Sequence, residues 1–150
     1  MIIISLCTKT YIESFCFGIC FVTLRNYAGG LHAKTHFGCS ILLIVVILGW
    51  VAAIKYIEVK YLKIISYVFV VVSTPIVLFL APVDNSNNVL DNNQKKKYKI
   101  KCFIVFFIII IGYLISFLLN RYTYSFIISY SIICVCISMI IQNFFNKTNK

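Results

Sequence analysis

A histidine and a thiol seven positions apart, His32 and Cys39, follow a glycine pair, Gly29-Gly30, in a chain that is otherwise mostly apolar. A thiol becomes a useful nucleophile when an imidazole, or the amide N–H groups of a helix N-terminus, stabilises its thiolate. Cys39 opens a long apolar run, a position that stands to gain from both. Gly29-Gly30 permits backbone conformations closed to other residues, and such a pair can turn N–H groups toward a developing oxyanion. The chemistry implied is covalent catalysis at a membrane surface, since a cluster of imidazoles beside a bilayer-compatible segment is not explained by insertion alone.

Spacing constrains the histidine. In one continuous helix, His32 and Cys39 share a face but are separated by roughly 10 Å of rise, and helical side chains lean toward the N-terminus, which carries His32 away. His36, at i−3 from Cys39, is the nearer neighbour on that assumption. For His32 to act, the chain must bend between the two, and Gly38 is a candidate hinge. His32, His36 and Cys39 also fall at i, i+4 and i+7, a spacing open to zinc. Ala33 stands where the zinc-peptidase pattern needs Glu, so no general base accompanies such a site, and no metal or other cofactor is expected.

The elements that must position these residues are membrane helices. With 61% hydrophobic and 12% charged residues among 150, the chain has more apolar surface than one small soluble core can hide. The fold class is all-α, a polytopic helical membrane protein with four to five transmembrane helices. Residues 37–54, 64–81, 102–119 and 122–141 form runs long enough, or nearly so, to cross about 30 Å of hydrocarbon. Residues 11–24, interrupted by Glu13, form a marginal fifth. The seven cysteines make an odd count, and Cys16, Cys20, Cys102, Cys134 and Cys136 lie within or at the edge of apolar runs, where a thiol behaves as a small hydrophobe rather than a disulfide partner. No removable signal peptide is read at the N-terminus, because no basic region precedes Ile2-Ile3-Ile4.

Alternating the segments sends Arg25, Lys34, the lysines at 95, 96, 97, 99 and 101, and Lys147 and Lys150 to one side, nine of the 14 basic residues. The positive-inside rule makes that side cytoplasmic, together with His32, Cys39 and the C-terminus of a multi-pass cell-membrane protein. The net charge of +10 then reflects orientation and contact with anionic membrane lipids, and not nucleic acid. Residues 83–101 form the one long loop, polar at Asp84-Asn85-Ser86-Asn87-Asn88 and basic from Lys95 to Lys101. Pro75 is expected to kink its helix and Pro82 to close it. Arg25 either anchors a substrate carboxylate or marks a helix end, and the lysine run either meets an acidic peptide or meets lipid.

At Arg25, Ala28-Gly29-Gly30, His32-Ala33 and Cys39 the sequence resembles the accessory gene regulator B (AgrB) family, membrane peptidases that mature Gram-positive quorum-sensing peptides. Ala81-Pro82-Val83-Asp84 followed by the lysine-rich stretch is similar to a Pro-containing segment and basic loop of the same family. The resemblance implies a single integral membrane domain over residues 1–150, with an N-terminus shorter than usual, since only 31 residues precede His32. It also implies a cysteine endopeptidase with Cys39 as nucleophile and His32 as general base. Arg25, Gly29 and Gly30 would support the oxyanion or the substrate. The implied substrate is an AgrD-like propeptide, cut near its C-terminal part and, in cyclising members, closed to a thiolactone or lactone.

A homodimer is a further option, in which His32 of one chain meets Cys39 of another. The competing readings are a non-catalytic membrane protein that binds the propeptide and a transporter that exports it. Apart from Glu13 the apolar runs hold no ionisable carboxylate or basic residue to couple ions, which weighs against transport.

Overall fold

A computed structural model describes residues 10–29, 36–83 and 92–148, with the side chains of 36–42, 92, 93 and 147 excepted. Five helices follow in order: α1 (Tyr11–Ala28), α2 (His36–Tyr56), α3 (Val59–Leu80), α4 (Asn92–Leu118) and α5 (Tyr122–Thr148). Among the described residues there is no strand, only one isolated bridge. The chain is an all-α, polytopic helical membrane protein. Val59–Leu80, Gln94–Leu118 and Tyr122–Asn146 are each long and apolar enough to cross a bilayer. α2 has 21 residues, and its stretch Leu43–Tyr56 is apolar apart from Lys55 in the last turn. α1 has 18, with Glu13 in its first turn and Arg25 in its last.

Two sequence expectations are corrected here. The loop expected over 83–101 is shorter, because α4 already begins at Asn92 and carries the whole lysine run. Asn, Gln and Lys without Pro or Gly can continue a helix, and long lysine stems cover its apolar face while their ammonium groups stay in water. α1 runs to Ala28 instead of stopping at residue 24, and ends where Gly29 takes φ +77°. Pro75 lies inside α3 without ending it. Pro82 does close that helix, since Ala81 before it is held extended at φ −75° and ψ 140°.

α5 is the hub, packed most extensively on α3, then on α1 and α4, and only lightly on α2. In lipid no hydrophobic force draws one helix to another, so close packing and satisfied polar groups must hold the bundle. Small residues supply the closeness. Ser125, Ser129, Ser131 and Cys136 of α5 are buried, as are Ser66 and Ser73 of α3. Their hydroxyls return to their own helices, Ser129 to the Phe126 carbonyl at 2.9 Å and Ser66 to the Lys63 carbonyl at 2.8 Å. The Cys136 thiol crosses to the Ser73 carbonyl at 3.6 Å.

The helices alternate through the bundle. Residues 57–58 and 119–121 join them at one end, where Lys63 of α3 stands over Phe117 of α4 and Tyr122 of α5, 5.5 and 5.0 Å from the ring centres. The opposite end gathers the C-termini of α1 and α3 and the start of α4, with the Tyr27 and Tyr98 rings 6.4 Å apart. Among the described residues this sets Arg25 and the lysines at 95, 96, 97, 99 and 101 toward one end and Lys55, Lys60, Lys63 and Arg121 toward the other, as the alternation of sequence segments has them.

Candidate active site

Gly29 is the best-defined residue of the candidate site. Its N–H donates to the Arg25 carbonyl at 3.1 Å, closing α1, and it forms a parallel bridge with Val83. The Val83 N–H donates to the Ala28 carbonyl at 3.0 Å. At φ 77° and ψ −166°, Gly29 occupies a backbone region essentially reserved for glycine. A Cβ there would fall on the Val83 carbonyl oxygen. Gly29 and Val83, from the two segments that carry the family resemblance, therefore meet backbone to backbone. The Ala81–Pro82 peptide bond is cis. The Gly29 N–H is committed to the helix cap.

Cys39 is the fourth residue of α2, whose backbone runs unbroken through Gly38. The hinge expected at Gly38 is thus absent: the helix absorbs that glycine in its first turn, and any bend bringing His32 toward Cys39 must fall before His36. Cys39 lies in the first turn of α2, directly after the N–H groups that have no partner within the helix, at the end that favours a thiolate. Gly30, His32 and Asp84 lie outside the described residues.

Arg25 is half-buried in the last turn of α1, its guanidinium 5.5 Å from the centre of the Phe21 ring. Beside it, Lys101 of α4 stands 6.0 Å from the centre of the Tyr27 ring. The later part of the helical lysine run, Tyr98 to Lys101, therefore lies against Tyr27 in the last turn of α1. The sequence marked the lysines but not this junction, and only the tyrosines at both of its sides could have hinted at it. Among the described residues no cluster of three or more His, Cys, Asp or Glu side chains is arranged to hold a metal.

Alternating membrane helices with small polar packing define a polytopic membrane protein, with the backbone bridge between Gly29 and Val83 at its lysine-rich end. The family model for Accessory gene regulator B matches residues 1–140, and the chain belongs to that family. Its role is in quorum-sensing peptide processing. Comparison with curated proteins and with solved structures found no match.

Proposed function

We propose that this chain is a membrane cysteine endopeptidase that cuts an AgrD-like propeptide at the cytoplasmic face of the cell membrane. The observation that carries the reading is the match of the Accessory gene regulator B family model to residues 1–140, which takes in the histidine and cysteine of the motif and the first turn of α2 where Cys39 falls. In this reading the Cys39 sulfur attacks the scissile carbonyl, and its proton passes to His32. The oxyanion forms near the unpaired N–H groups opening α2, which can stabilise it. His32 then protonates the departing amine as the C–N bond breaks, leaving a thioester on Cys39.

A thiol or hydroxyl of the propeptide displaces Cys39 and closes a thiolactone or lactone, returning the proton through His32. Transfer from one thiolate to another is nearly balanced in energy, so exclusion of water favours ring closure over hydrolysis. Arg25 and the α4 lysines supply positive charge for an acidic segment of the substrate or for anionic lipid.

The test is co-expression of the propeptide with this chain and with its Cys39→Ala and His32→Ala variants, followed by mass spectrometry. Cleavage by the unsubstituted chain alone, with a product one water lighter than the linear fragment, is the expected result. His36→Ala should retain cleavage. Full cleavage by Cys39→Ala would falsify the nucleophile assignment.

A further inference from the structure

α2 bears Cys39, yet among the described residues it is the helix the bundle holds most lightly, with α5 as its main neighbour. Tyr130 of α5 is where it is held. The Tyr130 hydroxyl donates to the Val46 carbonyl of α2 at 3.3 Å. It also sits against Gly49, where an added Cβ would lie 2.5 Å from it. The ring is wedged between Phe17 of α1, Phe69 of α3 and Phe126 of α5, with centres 6.3, 6.3 and 5.7 Å away. Three helices thus fix a side chain that reaches the fourth. The neighbouring Trp50 Nε1 is buried with no hydrogen-bond partner among the described residues, so none of them gives α2 a second polar anchor there.

Apolar contacts in lipid tolerate sliding and rotation of a helix, whereas a directed hydrogen bond over a glycine does not. Leu43, Val46, Ile47, Trp50 and Ile54 form the stripe of α2 that packs on the bundle core. Cys39 falls one turn before Leu43 and two turns before Val46, at the register position that continues this stripe, about 10 Å along the axis from the Tyr130 contact.

We propose that Tyr130 is a positioning residue for the nucleophile: seated over Gly49 and bonded to Val46, it sets the height and rotation of α2 and hence of Cys39. The inference rests on Cys39 being the nucleophile. A misplacement of about 1 Å at a reacting atom can cost on the order of 100-fold in rate.

The test measures kcat and KM for propeptide cleavage by the full chain in lipid nanodiscs, with Tyr130→Phe, Gly49→Ala and the double variant. Tyr130→Phe keeps the ring and deletes only the hydroxyl. It should lower kcat roughly tenfold while KM stays within about twofold, because the contact lies two turns from the substrate. Gly49→Ala favours helix intrinsically, yet it should cost more than Tyr130→Phe by driving the hydroxyl off.

In the double variant the added Cβ would meet only ring carbon, 3.6 Å away, so activity should return to the Tyr130→Phe level. Unchanged kcat in Tyr130→Phe, or a double variant as poor as the product of the two losses, overturns the inference. Cys39→Ala run in parallel separates the failures. If it cleaves, the catalytic reading and the inference fall together; if it is dead while Tyr130→Phe is unimpaired, the inference falls alone.

Discussion

At one end of the bundle the helices are joined across residues 57–58 and 119–121, with Lys63 closed over Phe117 and Tyr122; at the other they are joined across 29–35 and 81–91, with the backbone of Gly29 laid against Val83. Short turns fix helix ends by covalent geometry, so the first end needs only ring and ammonium contacts to finish it. The second end uses a backbone bridge with a glycine at its closest point. Gly29, where the connection carrying the motif histidine begins, lies at that second end. The two ends are thus held by different means, ring and ammonium contacts at one and a backbone bridge at the other.

The comparison breaks most visibly at Gly29. Gly29→Val should abolish propeptide processing, because a side chain there both collides with the Val83 carbonyl and requires a backbone conformation that costs about 1–3 kcal/mol for any other residue. Membrane insertion should persist, since α3, α4 and α5 are untouched. Processing assayed beside a protease-protection map of the same membranes checks both halves, and normal processing would mean that the bridge is irrelevant to the site.

How much of this was legible in sequence depends on the range of the interaction. The cores of α3, α4 and α5 follow from apolar length alone, and Pro82 marks the end of α3 through a local restriction on Ala81. The lysine run was misplaced in a loop because hydropathy registers a span and is blind to its polar continuation, although Lys95 to Lys101 contain nothing that breaks a helix. Gly38 was assigned a hinge on its residue type, but one glycine in a first turn is easily accommodated. The approach of Gly29 to Val83, and of Tyr130 to Gly49, joins residues far apart in sequence, so residue type marked the glycines without naming what they meet. His32 was found from the family motif and not from spacing, which favoured His36.

A smaller effect sharpens the contrast within the basic end. Tyr27→Leu keeps apolar volume but removes the ring that meets Tyr98 and Lys101, loosening the start of α4 from the end of α1. An aromatic pair of this kind contributes about 0.5–1.5 kcal/mol, so the thermal midpoint in detergent should fall by a few degrees. Processing should fall several-fold as well, because the same contact sets the lysine run beside the Gly29–Val83 bridge. Lost stability with processing intact would sever the α4 lysines from the site.

The matching substitution at the opposite end has the smallest expected effect. Lys63→Met retains a long flexible stem over Phe117 and Tyr122 and removes only the charge. An exposed ammonium over a ring contributes about 0.5–1 kcal/mol, comparable with the Tyr27 contact, so the thermal midpoint should shift by a similar or slightly smaller amount. Processing per folded molecule should not change. Two contacts of like strength, one moving activity and the other only stability, would show that the ends differ in function and not merely in rigidity; a loss of processing in Lys63→Met would instead mean that strain at the short-turn end is transmitted along α3 to Val83.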